Sequence, residues 1–430
     1  MPSPTLNACT AHTQARTARL CLSILFLTIP VASFAAPPAL SLQEATRLAV
    51  ERAPMLAARR FQVEAAQQES RRAGAWPDPM LTVGIDNLPV TGADAFDVQA
   101  DFMTMKRIGL RQEVPARAKR EAQRSFAARS IDEARADAQV ERLEVRRETA
   151  EAWIDLWAAQ RELDELMVLR EETGLASRLA RARVAGGTDP VADALAAEAA
   201  VLEMDNRIEA ARASEAAAQA GLTRWLGDDA LLATDRAPDF TALPVSEARL
   251  LAALNRLGPL LPTTAEIETA AAAVDLARAQ KRPDWSVAAS YGQRESGRSD
   301  MVMLEFGIEL PLFTGNRQDR GIAARQAEYE AALATREDLR RQQAARIRAD
   351  IARWEGLKRQ VARDQSELLP LARDRTAIAL AAYRAGAPVR PWLDARRDEI
   401  DILIDHAQRL GALGRTWAAL AYLLPQEPRQ

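Results

Sequence analysis

Pro283-Asp284-Trp285-Ser286-Val287-Ala288-Ala289-Ser290-Tyr291-Gly292 and, beyond a polar turn, Met301-Val302-Met303-Leu304-Glu305-Phe306-Gly307-Ile308-Glu309-Leu310-Pro311-Leu312-Phe313 form the stretch on which the fold turns. Val302, Leu304, Phe306, Ile308 and Leu310 alternate with Met303, Glu305, Gly307 and Glu309, and a period of two is the mark of a strand with unlike faces. The preceding run sets Trp285, Val287, Ala289 and Tyr291 against Ser286, Ala288, Ser290 and Gly292. Ser296-Gly297-Arg298-Ser299-Asp300 supplies the turn between them, so residues about 284–313 read as a long β-hairpin.

A similar hairpin stands about 200 residues earlier. Trp76-Pro77-Asp78-Pro79 leads into Met80 to Asp86, and Phe102 to Pro115 returns, for a hairpin at about 80–115 that ends Glu113-Val114-Pro115 where the other ends Glu309-Leu310-Pro311. Trp153 with Trp354, and Ala185-Gly186 with Ala385-Gly386, keep that offset. A fixed offset predicts an internal two-fold repeat, with a first copy over 36–227, a mixed insert over 228–258 and a second copy over 259–430.

Outside the hairpins the chain reads as helix. Ser41-Leu42-Gln43-Glu44 has the form of a capping box, with Glu44 reaching back to the Ser41 amide. Arg117 to about Val184 contains no proline, and a helix of that length would reach roughly 100 Å at 1.5 Å per residue. Gly186-Gly187-Thr188-Asp189-Pro190 should end it and start an antiparallel partner running to Leu226. The second half repeats the plan, with a helix from about Arg317 to Ala385, a tip at Gly386 to Pro391, and a return from Trp392 to about Leu424. The expected class is mainly α with a β-barrel part.

At the start, Arg16 and Arg19, the apolar run Leu20 to Ile29, and Ser33-Phe34-Ala35 read as a cleaved secretory signal over 1–35. The apolar run falls short of the ~20 residues a membrane span needs, and Cys21 lacks the small residues that precede a lipidated cysteine. Cleavage removes Cys9, Cys21 and His12, leaving His406 as the one histidine and no cysteine. That argues against a Cys/His metal centre, a catalytic thiol, a cofactor and enzyme activity altogether. The net charge of −3 becomes −5 without the two arginines, which argues against a nucleic-acid partner.

Four long strands on very long helices pose a problem for an isolated chain. Four strands cannot close a barrel, and an open sheet exposes edges and an apolar face. Three copies would supply ~12 strands, within the range of outer-membrane barrels, with Trp76 and Trp285 at the lipid interface.

The duplicated layout, Pro77-Asp78 and Pro283-Asp284, and Leu310-Pro311-Leu312-Phe313 resemble the TolC-type outer membrane efflux proteins over essentially the whole mature chain. Asp86-Asn87-Leu88-Pro89, Asp101-Phe102-Met103-Thr104-Met105 and Asn316-Arg317-Gln318 resemble its heavy-metal branch, of the copper/silver or cobalt-zinc-cadmium type. The resemblance implies a homotrimer with an outer-membrane β-barrel and a periplasmic α-barrel. It implies as partners a periplasmic adaptor (membrane fusion protein) and an inner-membrane RND pump, which does the work while the duct transports passively. By position, Gly186, Gly187, Thr188, Asp189, Pro190, Gly386, Ala387 and Pro388 are the expected adaptor-docking tips. Asp193, Arg390, Asp394, Arg397 and Asp398 are candidate gate charges, since rings of charge on a symmetry axis can close a pore, although such a run also fits a solvated helix face. Met103 with Met105, and Met301 with Met303, are each spaced by two on an expected strand. Their thioethers would share a face and suit Cu(I), or would serve as adaptable apolar filler. A channel for drugs or for type I protein secretion, and a periplasmic coiled-coil scaffold without a pore, stay open as alternatives.

Overall fold

The computed structural model describes residues 40–227, 234, 236–294 and 297–425. The expected leader lies outside them, as do part of the 228–258 insert and Ser296 of the second turn. The chain begins with α1 (Leu42–Arg52) and α2 (Pro54–Arg72), separated at Ala53 because Pro54 opens the second helix. Ser41 Oγ accepts the Glu44 amide at 3.1 Å, so one half of the capping box forms. The other half does not: the Glu44 carboxylate accepts from Arg47 Nε at 3.0 Å on the same helix face.

Strands β1 (Met80–Asp86) and β2 (Met105–Val114) follow, then α3 (Arg117–Ala185) and α4 (Val191–Leu226). After a short α5 (Glu247–Ala252) and two 3-10 turns come α6 (Leu261–Ala279), β3 (Trp285–Arg294) and β4 (Met301–Ile308). The 69 residues of α3 amount to roughly 100 Å of helix. The second long helix differs from its expected continuous form. It is α7 (Gln318–Arg363), a widened π turn at Asp364–Leu368, and α8 (Leu369–Arg384). Pro370 has no amide to donate to Ser366, so the ladder is already broken where the extra residue is absorbed. The last element is α9 (Arg390–Ala421).

All four strands join one antiparallel sheet in the order β1-β2-β3-β4. The central pairing runs from Met105 opposite Arg294 to Val114 opposite Trp285 and fuses the two hairpins. Asp284 anchors that junction: its carboxylate accepts the Ala116 amide at 2.8 Å and lies 2.7 Å from Lys119 Nζ at the start of α3. Beyond Ile308, Pro311 has no amide for a further rung, and Leu310 lies outside β4. At the other end Met103 lies outside β2, in a turn closed by Asn87 Nδ2 on the Met103 carbonyl at 3.2 Å and Thr104 Oγ1 on the Asn87 carbonyl at 2.9 Å. Met103 and Met105 are therefore not a pair on one strand.

The buried core is strung out along the helices as three clusters. The largest gathers Trp153, Ile154, Trp157, Leu257, Ile347 and Trp354. A second holds Leu166, Leu169, Met204, Leu369, Ile400 and Leu403, and the third sits between the two tips. Trp153 and Trp157, one turn apart, stack with centroids 6.5 Å apart. Trp153 Nε1 donates to the Leu40 carbonyl at 2.8 Å, and Trp354 Nε1 to the Phe240 carbonyl at 2.9 Å. Among the described residues no helix is long and apolar enough to cross a membrane.

Candidate functional site

Register sorts the sheet into two unlike faces. Residues opposite one another project to the same side, and alternate residues to opposite sides. One side therefore carries Leu81, Val83, Ile85, Ile108 and Leu110 from β1 and β2, then Val287, Ala289, Tyr291, Val302, Leu304 and Phe306 from β3 and β4. These side chains are bare, with Val83 75% and Phe306 74% exposed. Trp285 and Val114 bound this band at one end, and Lys106 opposite Gln293 at the other. From Trp285 to Tyr291 the band spans about 20 Å at 3.3 Å per residue.

The other side carries Asp86, Arg107, Arg111, Glu113, Ser286, Ser290 and Glu305. Arg107 pairs with Asp86 at 2.9 Å, and Arg111 reaches across β3 to Glu305 at 3.0 Å. Met105, Met301 and Met303 lie on this polar side, and Met103, being off the strand, is not assigned to it. The outer edges of β1 and β4 have no strand partner among the described residues.

At the far end of the helices the two tips are built alike. Gly187 and Gly386 have φ of 73° and 107°, a region that a side chain strains to occupy, and each reverses the chain at a helix end. The Thr188 amide and hydroxyl both donate to the Arg183 carbonyl, at 3.0 and 2.8 Å, and the Ala387 amide donates to that of Ala382 at 3.0 Å. Gly186 ends α3, Pro190 precedes α4, and Pro388 precedes α9. Arg183 ties the tips together: its guanidinium pairs with Asp189 at 2.8 Å, donates to the Tyr383 carbonyl at 2.5 Å, and lies 4.7 Å over the Tyr383 ring. Burial and the nearby Asp189 push the Tyr383 hydroxyl upward in pKa.

The five gate candidates divide into two sets. Arg397 on α9 pairs with Glu203 on α4 at 2.6 Å, and Asp398 pairs with Arg375 on α8 at 2.6 Å. These two brace neighbouring helices of the same chain. Asp193, Arg390 and Asp394 make no ion pair within 4.0 Å among the described residues. Arg390, Asp394 and Arg397 border a groove of about 290 Å³ between α4 and α9, opposite Glu203 and Arg207.

Several charged residues escape sequence reasoning. Arg396, buried near the tip end of α9, binds Glu172 at 2.5 Å and Glu399 at 3.1 Å. Asp364, buried in the π turn, accepts from Arg409 at 2.9 Å with His406 Nδ1 at 3.5 Å. Burial pushes the His406 pKa down, outweighing the opposing pull of Asp364, and Arg161 and Arg409 add to the lowering. The helix defect at Asp364 has a faint signal in Pro370, while the pairs of Arg396 with Glu172 and of Arg409 with Asp364 join residues far apart in sequence and have none. Among the described residues no group of three His, Cys, Asp or Glu could hold a metal ion.

Comparison with known proteins agrees with this geometry. The family model described as "Outer membrane efflux protein" matches residues 45–228 and 252–425. No curated protein matches the chain. Similar solved structures include a membrane protein from Pseudomonas aeruginosa, with 19% identity, 89% of each chain covered and a TM-score of 0.74. The Campylobacter jejuni CmeC outer membrane channel shares 13% identity over 89% of this chain and 84% of its own, with a TM-score of 0.73. CusC, described for its folding and transmembrane channel formation, shares 16% over 89% and 92%, also with a TM-score of 0.73. Two matches of one model span most of the sequence, and on that ground the chain belongs to the outer membrane efflux protein family.

Proposed function

We propose that three copies of this chain form the outer-membrane duct of a tripartite RND efflux system, a passive exit for heavy-metal cations. The observation that carries the reading is the four-stranded sheet with one bare apolar face, one charged face and two edges that have no strand partner among the described residues. Pairing β4 of one copy with β1 of the next would satisfy both edges, turn the apolar band to lipid and enclose the charged face around water. In this reading Trp76 and Trp285 lie at the lipid interface and the long helices bridge the periplasm.

Two separate matches to the family model support an ancestral duplication, as does the parallel role of Trp153 and Trp354. Each indole reaches a backbone carbonyl outside the helices, 113 residues upstream in one case and 114 in the other. The tips at 186–190 and 386–388 would meet the adaptor. Asp193, Arg390 and Asp394, which make no ion pair among the described residues, would then be the charges that face the axis, with Arg397 and Asp398 holding the helices that carry them. The heavy-metal cargo rests on the resemblance of Asp86 to Pro89, of Asp101 to Met105 and of Asn316 to Gln318 to that branch.

The test is to purify the exported protein from membranes in detergent, measure its mass and record conductance in planar bilayers. A trimer with discrete conductance steps is expected. A monomer that stays soluble without detergent would overturn the reading.

A further inference from the structure

The polar face of the sheet holds a group of thioethers that a passive duct does not require. Met105 is paired in register with Arg294, and the next same-side residue of β3 is Gly292. Met301 is paired with Gly292, and Met303 with Ser290. All three methionines therefore project to one side near one end of the sheet.

Strands β2 and β4 are separated by β3, so their backbones lie about 10 Å apart, too far for short side chains to meet. Gly292 changes that. A Cβ built there would lie 2.7 Å from Met105 Sδ, so the sulfur occupies the space a side chain would fill. Met105 thus leans over β3 toward the residue paired with Gly292, which is Met301. Any larger residue at 292 would part the two. Met105 is 8% exposed, Met303 half-buried and Met301 42% exposed, which leaves an approach from the Met301 side.

The surroundings discriminate between ion types. Asp86, opposite Met105, is already paired with Arg107 at 2.9 Å, so a hard divalent cation finds no free carboxylate there. Arg294 turns its Nε to the Ser299 carbonyl at 2.9 Å. What is left to offer is neutral sulfur, which suits soft d10 cations and is a poor ligand for magnesium or calcium.

We propose that Met105, Met301 and Met303 form a thioether site for a soft monovalent cation of the Cu(I) or Ag(I) class. The location of the site inside the conduit rests on the proposed function above. The binding itself does not. The site is a transient one, since three neutral thioethers on flexible stems bind reversibly, as a conduit for such ions needs.

Silver is the probe, because Ag(I) requires no reductant. The detergent-purified full assembly is equilibrated with Ag(I) against a competing chelator, comparing wild type with Met105→Leu/Met301→Leu/Met303→Leu and with a control carrying Met55→Leu/Met167→Leu. Wild type and control should retain one more Ag(I) per chain than the triple variant, with at least tenfold tighter apparent affinity. Equal retention by wild type and triple variant overturns the site. Should the triple variant fail to assemble, wild type labelled with 13C at the methionine methyls decides alone. The Met105, Met301 and Met303 resonances should shift together on adding Ag(I), and a spectrum in which they do not move overturns the site. Bilayer conductance of the same preparations separates the two readings: a conducting trimer that binds no silver removes the site and leaves the duct.

Discussion

Arg183 and Tyr383 meet at the far end of the helices, where the guanidinium donates to the tyrosine carbonyl at 2.5 Å and covers its ring at 4.7 Å. The same arginine pairs with Asp189 at 2.8 Å, so one side chain fastens both tips. Replacing it by alanine leaves Asp189, which is 6% exposed at its side chain, without its partner, at a cost of about 3 kcal/mol. Arg183→Ala should therefore speed amide exchange across residues 176–197 and 380–392 while the strands keep their protection. Arg183→Lys should fall between the two, since it keeps the charge and loses the fork.

The two faces of the sheet make opposite predictions for the same substitution. Phe306→Arg sets a charge in the bare apolar band and should cost ~2–4 kcal/mol near the middle of a bilayer. Glu113→Arg, on the polar side, should be tolerated. The yield of detergent-resistant assembly in the membrane fraction measures both, and equal yields would contradict the facing assigned from the register.

His406 gives stability a pH dependence whose sign follows from burial. Its folded pKa is lowered from the ordinary 6.5, so between the two values the unfolded chain binds the proton more readily. Its contribution is complete above about pH 6.5 and is lost as pH falls through the lowered folded value, with a slope of at most ~1.4 kcal/mol per pH unit. Denaturation followed at helix-hairpin residues from pH 7.5 to 5 should show that decline. His406→Gln should flatten it.

Trp153 is wholly buried, and its indole donates to the Leu40 carbonyl at 2.8 Å. Trp153→Phe keeps most of the apolar bulk but leaves that carbonyl without its donor, at about 1–3 kcal/mol. Trp354→Phe should cost a similar amount through the Phe240 carbonyl. Each should loosen the segment it holds, read by limited proteolysis near residue 40 for one and near residue 240 for the other.

Much of the architecture was legible because it rests on the periodic placement of apolar residues. Val302 to Ile308 alternates, and the sheet has one bare and one charged side there. Arg117 to Val184 has no proline, and one helix covers it. The departures have local causes. The π turn at Asp364 inserts its extra residue without changing the composition of the helix around it, and only Pro370 hints at it. Met103 stands in the right alternation but is claimed by the Asn87 turn, a competition that side-chain hydrogen bonds decide. At the candidate site, the glycines and prolines of the tips announce themselves by backbone chemistry. The arginine that fastens them does not, because a surface-patterned helix reads the same whether its charge meets water or a backbone carbonyl 200 residues away.

The two bare strand edges also have a genetic consequence. In the proposed threefold duct, a ring closed by edges is only as sound as its poorest joint, so a copy damaged along β1 or β4 would disable every complex it enters. In a cell making sound and damaged copies equally, roughly one in eight threefold rings would be wholly sound. Such alleles should act as dominant poisons, whereas an allele that abolishes synthesis should be silent beside a working copy.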